Sequence, residues 1–66
     1  MLEFVVQDIE SGLFLCPEGG DVGYTQRLKY AGTFFSHEEA LQAGIDHFAG
    51  HVDVIAILPT GGRVLI

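Results

Sequence analysis

Three histidines, a single cysteine and a cluster of glycines are the residues of this chain whose types and spacing could do chemistry. His37-Glu38-Glu39-Ala40-Leu41 begins like the helix of a zinc protease, where two histidines four apart hold the metal and a glutamate between them activates water. Leu41 stands where the second histidine is required. His47 and His51 are also four apart, but Gly50 ends a helix between them, so the two imidazoles do not share a face. Cys16 closes the apolar run Leu13-Phe14-Leu15-Cys16, a setting in which a thiol behaves as a small hydrophobe rather than a nucleophile. Gly19-Gly20-Asp21-Val22-Gly23 follows a strand, as phosphate loops do, yet no Lys-Ser/Thr follows it, and Glu18 and Asp21 repel phosphate. These failures name no catalytic, cofactor-binding or metal-binding residue. They predict a protein that binds and is not an enzyme.

Carboxylates are what remains. Nine of them face only Arg27, Lys29 and Arg63, for a formal net charge of -6. Such a field repels nucleic acid and anionic membrane and attracts basic surfaces, so neither nucleic acid nor membrane is an expected partner. A charge of this size also serves solubility in any small domain. The candidate partner-binding residues are Asp8 and Glu10 near the first turn, Glu18 and Asp21 in the glycine stretch, and Glu38, Glu39 and Asp46 on the helix. Glu38 and Asp46 are two helical turns apart, about 12 Å. Carboxylates spread over a small rigid body imitate a line of phosphates, and a protein that reads nucleic acid through Lys and Arg then binds them instead. Tyr24 and Tyr30 are candidate aromatic anchors for such a contact, although tyrosines beside apolar residues also serve as core.

The elements that must position these groups follow from periodicity. Leu2 to Asp8 alternates, with Leu2, Phe4 and Val6 on one face and Glu3 and Gln7 on the other, which predicts a half-buried strand. Glu10-Ser11-Gly12 has turn chemistry, and Leu13 to Cys16 returns as the second strand of a hairpin. Pro17 to Gly23 reads as an irregular loop, because it holds a proline and three glycines. Tyr24 to Tyr30 is open between a third strand and an irregular connection. Thr33-Phe34-Phe35 is extended and is expected to bring its aromatic rings, Phe35 among them, into the core.

Ser36 begins a helix over about residues 37–49. Ser36 and Glu39 form the Ser-x-x-Glu capping box, in which each side chain accepts the other's backbone N–H, and Glu38 and Glu39 suit the positive end of the helix dipole. Ala40, Leu41, Gly44, Ile45 and Phe48 make the expected buried stripe, with Glu38, Gln42 and Asp46 opposite. Val52 to Leu58 is the strongest strand and is expected at the centre of the sheet, with the helix on one side. After the turn at Pro59-Thr60-Gly61-Gly62, Arg63 to Ile66 pairs back. The predicted fold is α+β, a small antiparallel sheet of four or five strands in the order β-β-(β)-α-β-β packed on one helix.

Sixty-six residues make a single domain, and 48% apolar residues suffice for a packed core. No apolar run reaches the roughly 18 residues of a membrane span. Met1-Leu2-Glu3-Phe4 lacks the basic region of a signal peptide, and one cysteine forms no intramolecular disulfide, so a reducing cytoplasm is the expected setting. The apolar end Val64-Leu65-Ile66 is an edge through which two copies can pair, and monomer and homodimer both stay open.

The middle of the chain also resembles a known kind of protein. Gly23-Tyr24-Thr25, Leu28, Ala31-Gly32, Phe35 and Glu39-Ala40 spell GYTxxLxxAGxFxxxEA over residues 23–40. This is similar to a unit of small phage- and prophage-associated proteins, in which a hairpin precedes it and a short helix follows. The resemblance implies a scaffold rather than an activity. A tiny acidic protein of that origin resembles the anti-CRISPR proteins, some of which mimic DNA on a type I effector complex. What this implies is an inhibitor acting in the bacterial host cytoplasm on a CRISPR effector complex.

Overall fold

Alternation of apolar and polar residues at the start of the chain becomes the middle strand of a sheet. In a computed structural model, which describes residues 2–65, the order is β1 (Glu3–Asp8), β2 (Phe14–Glu18), β3 (Asp21–Thr25), a 3-10 turn (Leu28–Tyr30), α1 (His37–Phe48), β4 (Val52–Ile57) and β5 (Arg63–Leu65). Met1, and Ile66 at the end of the predicted last strand, lie outside the described residues. The strands form one five-stranded antiparallel sheet ordered β3-β2-β1-β4-β5. β1 therefore holds the centre that the apolar content of β4 predicted for β4, and β4 lies between β1 and β5.

Pairing of Phe4 with Ala56, Val6 with Val54 and Asp8 with Val52 sets these residues on one face of the sheet. α1 covers that face, resting mainly on β1 and β4. The core beneath it is Val6, Leu15, Ala40 and Val54, with Phe4, Phe34, Ala43, Phe48 and Val52 packed around them. Burying a side chain such as Val6 completely is worth about 1.5–3 kcal/mol. The other face carries Val5 and Phe14, also buried.

Residues 17–23 are regular, not a loop. Gly19 (φ 55°) and Gly20 (φ 85°) both adopt positive φ, as a two-residue type I′ hairpin requires, so the glycines build the β2–β3 hairpin instead of breaking it. Glu18 and Asp21 close this turn, and the next pair, Pro17 and Val22, then turns its backbone groups outward. Pro17 thus loses no hydrogen bond, because its missing N–H faces a gap. β1 and β2 pair only at Gln7 and Phe14 and then splay apart. Residues 32–34 fill the split: Gly32 N–H donates to the Leu15 carbonyl at 2.9 Å, and Phe4 and Phe34 exchange two backbone hydrogen bonds of 2.8 Å. Of the stretch left open, residues 24 and 25 belong to β3 and residues 28–30 form the 3-10 turn.

Two other expectations fail on packing. Phe35, next to the core residue Phe34, is 69% exposed, since neighbours in extended chain point to opposite sides. Leu41 and Ile45 are 39% and 49% exposed. The helix approaches the sheet along Ala40 and Gly44, the only fully buried positions of its face, so Leu41 and Ile45 fall on its outer flank. The small residues determine which side faces in, because only they permit so close a contact.

Candidate functional site

The Ser36 side chain caps α1 as expected, its Oγ accepting the Glu39 N–H at 3.1 Å. The reciprocal half of the capping box is not made among the described residues, which leaves the Glu39 carboxylate free at the surface. The ring of His37 packs edge-on to Phe4, with centroids 6.2 Å apart, and Phe48 packs on Tyr24 at 5.3 Å. α1 therefore runs from the level of Phe4, at the start of β1, towards the level of Val52 and Asp8, at its end.

This placement divides the carboxylates into two groups. Glu3, Glu18, Asp21, Glu38 and Glu39 lie towards the end of the body where β1 starts. Asp8, Glu10, Asp46 and Asp53 lie towards the other end. Five residues of strand separate the levels of Glu3 and Asp8, about 17 Å. A single continuous row of charge is not formed.

Each group has local structure. Asp8 Oδ2 accepts the Ser11 hydroxyl at 2.6 Å and the Ser11 N–H at 3.1 Å. The Ser11 side chain is the main reason that the Asp8 carboxyl is held below its ordinary range; desolvation opposes it, and the Ser11 and Glu10 N–H groups and the nearby His51 add to the lowering. His51 Nδ1 lies 3.8 Å from Glu10 Oε1, an exposed contact worth little to stability. At the opposite end the Glu18 side chain lies across Gly23, where any Cβ would collide with it. Asp21 Oδ1 accepts the Val22 N–H at 2.8 Å, which turns its carboxylate along the free edge of β3. On the helix Asp46 Oδ1 accepts Gln42 Nε2 at 3.0 Å.

Among the described residues, Arg27, Lys29 and Arg63 make no ion pair with any carboxylate. Lys29 lies instead over the ring of Tyr30, 5.0 Å from its centroid. No charged side chain is buried among the described residues. The negative charge thus stands at the surface without internal compensation. Tyr24 and Tyr30 are 49% and 59% exposed, so both rings present area to solvent, although Tyr24 leans on the core through Phe48.

A groove of about 510 Å³ was not foreseen. It opens where β2 leaves β1, between the β2–β3 hairpin and the Ala43–His47 side of α1. Cys16 and His47 both border it. Cys16 is paired with Gly23, on the opposite side of the pleat from Leu15 and Pro17, so it borders the groove with its backbone. Among the described residues no hydrogen bond joins Cys16 to His47, and no group of three or more metal-ligating side chains converges. The signal for the groove was Pro17, a residue unable to serve a strand on that side. No helix among the described residues is long and apolar enough to cross a membrane.

No family model, no curated protein and no solved structure matches this chain.

Proposed function

We propose that this is an interaction protein whose carboxylates engage a basic protein surface that otherwise binds nucleic acid. The observation that carries the reading is the uncompensated charge: a net -6, and no carboxylate paired with Lys or Arg among the described residues. Charge displayed in this way accelerates encounter with a basic partner and competes with phosphates for the same Lys and Arg groups. The resemblance of residues 23–40 to small phage-associated proteins makes a CRISPR effector complex in a bacterial cytoplasm the first partner to test. The test is inhibition of DNA binding by a type I effector complex, with Glu18, Asp21, Glu38 and Asp46 reversed to lysine. Loss of inhibition by the folded variant supports the reading, and undiminished inhibition sinks it.

A second reading, pairing of two copies, is favoured by one feature. β5 is an edge strand, and Leu65 on it is 63% exposed. Leu58 N–H donates to the Gly62 carbonyl at 2.7 Å, which by alternation turns the Arg63 and Leu65 backbone groups away from β4. Those groups are available to another strand. Sedimentation equilibrium decides it: a mass that stays at one chain across concentration rejects the dimer.

A further inference from the structure

The sheet has two faces, and α1 covers one of them. By alternation the other face carries Glu3 and Val5 of β1, Asp53, Ile55 and Ile57 of β4, and Arg63 and Leu65 of β5. The chain itself crosses part of this open face. Between Thr25, which ends β3, and Gly32, whose N–H donates to the Leu15 carbonyl, it must pass over β2. The groove on the α1 side is lined by Gly32, Thr33 and Phe34 but by none of residues 26–31, so the passage lies on the open side. There it covers Val5 and Phe14, which are 1% and 6% exposed yet stand apart from the core under α1.

The open side is therefore a ridge beside a shelf. The ridge, residues 26–31, displays Arg27, Lys29 and the 59% exposed Tyr30. The shelf, over β4 and β5, is apolar through Ile55, Ile57 and the 63% exposed Leu65, and it carries Asp53. All three cations of the chain lie on this side, with Glu3, Glu18, Asp21 and Asp53, so its formal balance is three minus four, or -1. Asp8, Glu38, Glu39 and Asp46 lie on the side of α1, where no Lys or Arg accompanies them. Two bodies of net charge -6 repel each other, and they meet most readily where the signs balance.

We propose that the open face is an interface between two copies of this chain, the ridge of each seated on the shelf of the other. A two-fold axis between the two sheets and along β1 produces this exchange, in which every contact occurs twice. The register fits it. Pairing of Thr25 with Phe14, Phe14 with Gln7 and Gln7 with Asp53 puts Thr25 and Asp53 at one level of the sheet, on opposite sides of β1. Arg27, two residues beyond Thr25, then faces the partner's Asp53. Neither residue makes an ion pair within its own chain among the described residues. This pairing is distinct from strand addition at the β5 edge, which leaves the open face uncovered. It is also independent of the carboxylate reading, and it leaves the acidic side of α1 facing outward on both copies.

Sedimentation equilibrium over a range of concentrations tests it. The mass is expected to rise from one chain to two as concentration rises. Arg27→Glu and Asp53→Lys, each checked for folding by circular dichroism, oppose like charges and should each weaken dimerisation at least about tenfold. An equimolar mixture of the two variants restores both opposite-charge contacts and should dimerise as the unaltered protein does. Arg27 is exposed, so Arg27→Glu still tests the contact if Asp53→Lys does not fold. A mass of one chain at every concentration overturns the proposal. So does a dimer that tolerates the reversals, or a mixture of folded variants no tighter than either alone. Leu65→Pro removes an N–H from the free edge of β5. A dimer abolished by that change and indifferent to Arg27→Glu belongs to the edge, which also overturns the proposal.

Discussion

Gly44 lies against Val52 so closely that a Cβ placed on Gly44 would stand 2.5 Å from Val52 Cγ2 and 3.1 Å from Cγ1. This contact joins α1 to the start of β4 and determines how near the helix sits to the sheet. Alanine ordinarily improves a helix interior by up to about 1 kcal/mol over glycine, whereas overpacking a core costs about 1–3 kcal/mol. Val52 is the first residue of its strand and its β-branched side chain has little freedom to turn away. Gly44→Ala is therefore expected to destabilise the fold by about 1–2 kcal/mol in urea denaturation, the overpacking outweighing the helix gain. Adding Val52→Ala should recover part of that loss. A double variant less stable than the sum of the single ones removes the steric explanation.

The other end of the helix carries a local conflict. Ala49 terminates α1 in the left-handed region at φ 55°, and Gly50 follows at φ 83°, its N–H donating to the Gly44 carbonyl at 3.1 Å. The helix thus ends on two successive left-handed residues, the first of which is alanine, where glycine is usual. A left-handed alanine costs about 1 kcal/mol. Ala49→Gly is expected to raise the stability by about 0.5–1 kcal/mol, the relief of strain exceeding the added freedom of the unfolded chain. Thermal melts of the two proteins side by side check it, and a lower midpoint for the glycine variant contradicts it.

The β2–β3 turn makes the opposite demand. Gly20 is at φ 85° with open space where a Cβ would go, so backbone conformation alone decides what it tolerates. Gly20→Val should cost about 1–2 kcal/mol, because a β-branched residue resists positive φ. Gly19→Asn should be nearly neutral, since asparagine suits the first position of this turn. Denaturation curves for both variants give the contrast, and equal losses at the two positions reject the turn assignment.

What was legible in the sequence follows the range of the interactions involved. The cap at Ser36, the alternation of β1 and the apolar run of β4 depend on residues within a few positions, and each appears where the pattern placed it. The side of the helix that faces in depends on the sheet it meets. Leu41 and Ile45 are more apolar than Ala40, yet the small residues are buried because close approach favours them. Pro17 lies within a strand for a similar reason: whether a proline breaks a strand depends on which side its nitrogen faces, and that is decided by β1 diverging. The carboxylates were plain as residues, but their division between two ends emerges only from the direction of α1 over the sheet.

Asp8 provides a test in pH. Its carboxyl titrates below the ordinary value, chiefly because the Ser11 hydroxyl binds the ionised form. The folded state thus holds this proton less tightly than the unfolded chain, in which the value is about 3.9. The stabilisation is complete above that value and is lost as the pH falls through it towards the folded value. Ser11→Ala should raise the Asp8 pKa towards the ordinary carboxylate value and flatten the acid limb of the stability profile. The carboxyl carbon of Asp8, followed by NMR from acid to neutral pH, gives the result directly. An unchanged midpoint in Ser11→Ala assigns the depression to another group.

The two-ended charge makes the final prediction. The levels of Glu3 and Asp8 are about 17 Å apart, while charges in physiological salt are screened over about 8 Å. A basic surface docked at one end is therefore shielded from the carboxylates of the other. Replacing Glu18, Asp21, Glu38 and Glu39 with their amides, Gln or Asn, should slow association with the partner about tenfold at physiological salt. Replacing Asp8, Glu10 and Asp46 in the same way should change the rate by less than about twofold at that salt, if the partner docks at the end that carries Glu18 and Glu38. Surface plasmon resonance at several salt concentrations measures both association rates. Equal slowing by both sets of substitutions would mean that the charge acts as one diffuse field, with no end preferred.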